Sequence, residues 1–277
     1  MRTVALPAGE RVPAFGMGTW YMGEDPARRA AEIATLQLGL DLGTGLIDTA
    51  EMYADGGAEE VVAAAIEGRR DSVFLVSKVY PHNATRRGAI AACERSLKRL
   101  RTDRVDLYLL HWRGSVPLGE TMEAFVALKA AGKIRHYGVS NLDREDLEEL
   151  RSLQGGSEIQ TDQVLYNLTR RGVEWDLLPW LRERRIPLMA YSPIEQARLV
   201  RNQQLAAFAR RYGMTPAQAA LAWLLKDDDV IVIPKSAHPG RLRENLGAVE
   251  IRLSTDQLRE LDGLFPSPTR ATPLEML

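Results

Sequence analysis

The chain has 277 residues, 45% of them hydrophobic and 26% charged, with a formal net charge of -1. This is the composition of a globular protein with ample chain for a core; it excludes a disordered or fibrous protein, and near-neutrality leaves no basic footprint for a nucleic-acid backbone. Cys93 is the only cysteine, which excludes an intramolecular disulfide and a cysteine-based structural zinc site and fits a reducing compartment.

The opening MRTVALPAGERVPAF lacks the apolar core of a secretory signal, and no apolar run is long enough to span a bilayer, so a soluble cytoplasmic protein with no membrane partner is expected. TVALPAGERV reads as a short hairpin around Pro7-Ala8-Gly9, able to cover one end of a barrel. From there to about residue 235, short β-branched runs alternate with longer amphipathic segments, as in parallel strands joined by helical crossovers. The strand candidates are AFGMGT (14–19), GLIDTA (45–50), VFLVSK (73–78), VDLYLLH (105–111), HYGVS (136–140), EIQTDQ (158–163), PLMAYS (187–192) and VIVIP (230–234). Eight such strands close a (β/α)8 TIM barrel, although an open doubly wound α/β sheet also holds eight. Between strands, Arg86 to Arg101 repeats Ile90, Cys93, Leu97 and Leu100 at helical spacing, which makes Cys93 a core residue. After residue 235 come a helix near 239–248, a helix near 254–263 and the Pro-rich tail FPSPTRATPLEML. No repeat, low-complexity tract or linker divides the chain, so one domain spanning 1–277 is expected.

In such a barrel, chemistry gathers at the C-terminal strand ends and the loops beyond them. Polar residues fall there: Asp48, Lys78, His111, Ser140 with Asn141, Gln163, and Tyr191 with Ser192. Side chains alternate faces along a strand, so Asp48, Lys78 and His111 converge if their faces point at the barrel axis. Taken singly, Asp48 is a helix cap, Lys78 a solvated strand end and His111 a structural histidine. Together on one rim they form a constellation in which a buried Asp48 needs a partner and Lys78 is the obvious one. Tyr53 follows in the next loop; near an ammonium its hydroxyl would be drawn toward ionisation and serve as a general acid or base. A neutral His111 would hold a substrate oxygen against it. His82 and His136 show no metal spacing, and no metal is expected.

With GMGTW, DTAEMY, LVSK, LLHW, GVSN, AYSP and IPKS in this order, the chain resembles the aldo-keto reductase superfamily along nearly its whole length. GTWYMGED and AEMYADGGAE point to a bacterial branch that reduces small aldehydes and dicarbonyls such as methylglyoxal. The resemblance implies a proton donor at Tyr53, with Lys78 lowering its pKa, Asp48 pairing with Lys78, and His111 orienting the carbonyl that accepts hydride from nicotinamide C4. It implies that Tyr191 stacks on the nicotinamide, that Ser140, Asn141 and Gln163 hydrogen-bond its carboxamide, and that Ser192 and Pro193 complete the AYSP motif on the cofactor side. Trp20 and Trp112 would line the substrate pocket. No GxGxxG follows a strand, which argues against a Rossmann site. Lys235, Ser236, Arg241, Glu244 and Asn245 instead match the family's adenosine-phosphate pattern, and Lys235 and Arg241 beside Ser236 suit a 2′-phosphate, so NADP(H) is expected over NAD(H). His238 stands where many relatives carry Thr or Arg, and Glu195 falls where a carboxylate would repel a pyrophosphate unless it points away. Most relatives are monomers, and a monomer acting on a small carbonyl substrate is expected.

Two other functions fit a barrel with a buried lysine. A lyase or aldolase would form a Schiff base on Lys78, and a non-catalytic nucleotide sensor would keep the scaffold without the reaction. The conjunction of DTAEMY with the Lys235 to Asn245 cluster argues against the first, and an intact Asp48, Tyr53, Lys78 and His111 set against the second.

Overall fold

The structure, a computed structural model, describes residues 2–277. Thr3–Ala5 (β1) and Arg11–Pro13 (β2) pair antiparallel. Their turn is closed by the Leu6 N–H donating to the Glu10 carbonyl and the Gly9 N–H to that of Leu6, both at 2.8 Å. Gly9 has φ +88°, a conformation that side chains resist, so the turn needs its glycine. Val4, Leu6 and Val12 are buried. The Ala8 N–H donates to Gln160 Oε1 at 2.8 Å, and Glu10 pairs with Arg135 and His136. The hairpin therefore covers the end of the barrel at which strands begin.

The remaining strands are Met17–Gly18 (β3), Leu46–Asp48 (β4), Phe74–Val79 (β5), Val105–Leu110 (β6), Ile134–Ser140 (β7), Asp162–Leu165 (β8), Leu188–Tyr191 (β9) and Val230–Val232 (β10). They form one parallel eight-stranded sheet in sequence order. Its two edges meet through parallel bridges Phe15↔Val232 and Gly18↔Lys235. The Gly16 N–H donates to the Val232 carbonyl at 2.8 Å, and Val232 N–H to that of Ala14 at 2.9 Å. A cross-axis contact says the same: Gln163 on β8 donates to Asp48 on β4 at 2.8 Å, although three strands lie between them in the sheet. The arrangement fits a (β/α)8 barrel.

Every residue of β5 and β6 is buried, as expected where helices cover the outside and side chains fill the inside. Crossover helices include Arg29–Asp41, Gly57–Ala65, Arg86–Leu100, Leu118–Ala130, Arg144–Ser152 and Pro216–Leu224. Several starts are written locally: Thr85 accepts from Gly88 N–H, Asp143 from Asp146 N–H, and Thr215 forms a capping box with Gln218. Helices Pro239–Leu246 and Thr255–Leu264 follow β10. No helix among the described residues is long and apolar enough to cross a membrane.

The sixth barrel strand begins later than EIQTDQ suggests. Gly156–Glu158 is a 3-10 turn, and the strand runs over Asp162–Leu165. The polar residues before it are engaged elsewhere, Gln160 with Ala8 N–H and the Glu158 carbonyl, and Thr161 with the Pro187 carbonyl. The apolar continuation Val164-Leu165 enters the sheet instead. Gln163 remains level with Ser140, its register partner.

This register turns Asp162 to the opposite face from Gln163, where it is fully buried. Neither carboxyl oxygen has a hydrogen-bond partner. Burial holds its pKa well above the carboxylate range, eased by the nearby Leu142 main chain. The folded state thus carries a neutral acid that ionises on unfolding, so Asp162 favours folding only below its unfolded pKa and weakens it as pH rises. We predict that Asp162→Asn raises the thermal midpoint at pH 7 and that the gain shrinks toward pH 4. Scanning calorimetry at both pH values checks this.

Candidate active site

Asp48 ends β4 and Lys78 sits one residue from the end of β5; both side chains point inward and are essentially buried. Lys78 Nζ donates to Asp48 Oδ2 at 2.8 Å, to the Thr49 carbonyl at 2.9 Å and to Tyr53 Oη at 3.3 Å. Asp48 Oδ1 accepts from Gln163 Nε2 at 2.8 Å. The ammonium has spent its three donors, and each carboxylate oxygen has a partner, the condition for burying two charges. Asp48 caps nothing: the next α-helix begins at Gly57, with Gly56 at its N-cap.

Tyr53 opens a 3-10 turn, Tyr53–Gly56, whose last three residues all have positive φ: Ala54 +52°, Asp55 +50° and Gly56 +92°. The Arg99 guanidinium lies against Gly56, so close that a Cβ there would stand 2.4 Å from Arg99 Nε. Arg99 Nε donates to buried Glu59 at 2.6 Å, and Ser77 Oγ donates to the same carboxylate at 2.7 Å. Helix Arg86–Leu100 and β5 thereby brace the turn that carries the phenol. The Tyr53 and His111 rings stand edge to face, 5.7 Å apart.

The electrostatics correct one expectation. Burial, then the negative charge of Asp48, outweighs the Lys78 ammonium and holds the Tyr53 pKa well above its ordinary value. Asp48 lies closer to the ammonium than Tyr53 does and offsets its field. The Lys78 pKa is lowered by burial, with Asp48 opposing. His111 is driven down to about 2 by burial and by Lys78. At neutral pH the phenol is protonated and the imidazole uncharged.

A cavity of about 660 Å³ opens beside these groups. It runs from Asp48, Tyr53 and Trp20 past Tyr191, Ser192 and Pro193 to Lys235, Ser236, Arg241, Glu244 and Asn245. Trp20 lines it, stacked on Tyr21 at 4.4 Å. Trp112 lies outside this lining, against the His111 ring at 4.8 Å and Tyr80 at 5.1 Å. Ser140, Asn141 and Gln163 form a connected layer behind the cavity. Ser140 Oγ donates to the Gln163 carbonyl at 2.7 Å, Asn141 Nδ2 donates to Ser140 Oγ and the His111 carbonyl, both at 3.1 Å, and Tyr191 Oη donates to Asn141 Oδ1 at 3.0 Å. A larger groove, about 880 Å³, lies at the hairpin end of the barrel; several of its charges pair with each other, Arg2 with Asp228 and Arg182 with Asp229.

The far end of the cavity is cationic. Arg28 and Arg201 join Lys235 and Arg241 there, and sequence reasoning missed both because neither stands in a motif. Among the described residues, none of the four has a carboxylate within ion-pair distance. Glu195, expected to repel an anion, is turned away: it is buried, accepts from Asn167 Nδ2 at 2.7 Å and from Arg170 at 3.0 and 3.1 Å. Its backbone shows the cost, with Glu195, Gln196 and Ala197 at φ +50°, +50° and +68°, roughly 1–3 kcal/mol of strain per residue. His238 Nδ1 accepts from the Gly240 N–H at 3.1 Å and, more weakly, from Arg241 at 3.4 Å. Through that nitrogen it caps helix Pro239–Leu246.

A model of the aldo/keto reductase family matches residues 14–265. The chain is 51% identical over 271 residues to methylglyoxal reductase YeaE of Escherichia coli, covering 96% of this chain and 95% of that protein. It is 32% identical to glyoxal reductase of Bacillus subtilis over 95% and 92% of the two chains. Among solved structures, an aldo/keto reductase from Klebsiella pneumoniae in complex with NADP and acetate superposes with a TM-score of 0.97 at 49% identity, covering both chains in full. A second Klebsiella pneumoniae structure, in complex with NADPH, also gives 0.97, at 50% identity and 100% and 99% coverage.

The neutral state of His111 carries a stability signature. Its folded pKa, about 2, lies below the ordinary 6.5, so its contribution is full above pH 6.5 and is lost as the unfolded chain takes up a proton below that. We predict that wild-type stability falls more steeply from pH 7 to pH 5 than that of His111→Gln, by up to about 1.4 kcal/mol per pH unit. Denaturant titrations at stepped pH read this directly.

Proposed function

The chain belongs to the aldo/keto reductase family, and from that membership we propose that it reduces small aldehydes and dicarbonyls, methylglyoxal among them, to alcohols with NADPH. The observation that carries the reading is a half-buried, protonated Tyr53 hydroxyl beside the Lys78 ammonium, at one end of a cavity whose other end holds four cations that, among the described residues, form no ion pair. Such a cavity fits a long cofactor with a reactive head and a phosphorylated tail, and Glu195 has been withdrawn from its path.

NADPH bound there supplies hydride to the carbonyl carbon. His111, uncharged, donates to the carbonyl oxygen and fixes it against Tyr53 Oη. As the C=O bond order falls, negative charge gathers on that oxygen, and Tyr53 Oη transfers its proton there, giving the alcohol. The resulting phenolate is stabilised by Lys78, which already donates to that oxygen, and Asp48 keeps the ammonium charged in its buried position. Burial thus supplies an acid that holds its proton until an alkoxide forms beside it. Tyr191, braced by Asn141, presents its ring to the nicotinamide, while Ser140, Asn141 and Gln163 form the polar layer that meets its carboxamide. Trp20 walls the carbonyl side, with Trp112 supporting His111.

At the adenosine end, Lys235, Ser236 and Arg241 take the 2′-phosphate, with Glu244 and Asn245 on the nucleoside and Arg28 and Arg201 adding positive field. Paired guanidinium donors favour a phosphate over a hydroxyl, which is the basis for NADPH over NADH. The Schiff-base alternative loses support, because Lys78 is fully buried with all three N–H bonds committed.

We predict that Tyr53→Phe lowers NADPH oxidation with methylglyoxal by on the order of 10²–10⁴-fold while NADPH still quenches protein fluorescence; full activity in this variant overturns the mechanism. Lys235→Ala and Arg241→Ala are expected to raise the NADPH dissociation constant more than that for NADH. Equal effects on the two cofactors remove the 2′-phosphate assignment.

A further inference from the structure

Arg170 lies behind the cleft, in the tight turn after β8 where Asn167 and Arg170 form an antiparallel bridge. Its Nε and Nη2 donate to Glu195 Oε1 at 3.1 and 3.0 Å, and its Nη1 donates to Glu275 Oε1 at 2.6 Å. One planar fork therefore joins two segments remote in sequence, a geometry that suits guanidinium and not ammonium.

The Glu195 side is the strained turn. Glu195, Gln196 and Ala197 have positive φ, and such a conformation persists only where the surroundings hold it. The buried Glu195 carboxylate is the anchor, gripped by Arg170 and by Asn167, which also donates to the Ser192 carbonyl at 3.0 Å. With that side chain tied behind, Gln196 and Ala197 border the cleft.

The Glu275 side is the segment 272–277. Thr272 lies so close to Gly172 that a Cβ there would stand 2.8 Å from Thr272 Oγ1. Leu274 packs against the core and Glu275 meets Arg170. The segment is thus pinned by Arg170 midway.

We propose that Arg170 is a positioning residue that couples the cleft-bordering turn 195–197 to segment 272–277, so that ordering either one favours the other. The proposal rests on the reading of the cleft as an NADPH site. By linkage the coupling is reciprocal: whatever orders segment 272–277 tightens cofactor binding by the factor with which the cofactor favours that order. Because Glu275 is about half exposed, its ion pair corresponds to a modest change, about two- to fivefold.

The test is NADPH titration by fluorescence, with thermal midpoints alongside, for wild type, Glu275→Gln, Arg170→Gln and the double variant. Glu275→Gln is expected to raise the NADPH dissociation constant about two- to fivefold, although Glu275 does not border the cleft, and to raise KM for NADPH with little change in kcat. Arg170→Gln raises the dissociation constant further, because it also frees Glu195, and adding Glu275→Gln to it changes nothing more. Glu275→Gln needs no change in the core and keeps the test open should Arg170→Gln fold poorly. An unchanged dissociation constant in Glu275→Gln, or an effect of equal size with and without Arg170, overturns the coupling alone. Failure of the wild type to bind NADPH overturns the cofactor reading and the coupling with it.

Discussion

The contact between Asp48 and Lys78 is the constraint on which the site depends. Two opposite charges are fully enclosed between neighbouring strands, and removing one partner of such a pair typically costs about 3–5 kcal/mol because the other is left alone in a poor solvent. The pair is tolerable because its polar atoms are saturated: Thr49 and Tyr53 complete the ammonium, and Gln163 reaches across the barrel to complete the carboxylate. That third contact requires β4 and β8 to face one another, so the electrostatics of the pair depend on closure of the sheet.

Saturation also sets the charge state of the surroundings. Burial dominates at Tyr53, with Asp48 behind it, and keeps the phenol protonated, while at His111 burial and Lys78 together keep the imidazole uncharged. Net positive charge collects instead at the other end of the cavity, where Arg28, Arg201, Lys235 and Arg241 stand with the single lining carboxylate Glu244 and, among the described residues, without an ion pair. A cleft divided in this way has a dry, uncharged end suited to proton transfer and an open, cationic end suited to an anion.

Turn 195–197 borders that cleft, turn 54–56 follows the Tyr53 that lines it, and both strained turns are held from behind in the same manner. Each has a buried carboxylate, Glu59 or Glu195, gripped by an arginine that does not itself enter the cavity, Arg99 or Arg170. Positive φ in non-glycine residues survives where neighbouring contacts over-determine it. The outer contacts therefore belong to the site as much as the groups that face the cavity.

Much of this was legible in the sequence, and for a local reason. Alternation of β-branched runs with amphipathic segments gives strands and helices, and polar residues at strand ends give Asp48, Lys78 and His111, because backbone periodicity is set by nearest neighbours. Where local signals were ambiguous, as in EIQTDQ, side-chain bonds to Ala8 and Pro187 moved the strand toward Val164-Leu165. The tertiary structure alone decided which way each remaining charge acts. Glu195 is harmless because Asn167 and Arg170 lie behind it; Arg28 and Arg201 matter because loops far apart in sequence bring them to Lys235 and Arg241. Tyr53 keeps its proton because burial and Asp48 outweigh Lys78. Residue type and spacing are properties of the chain, whereas solvent exclusion and the distance between charges exist only once the barrel has closed.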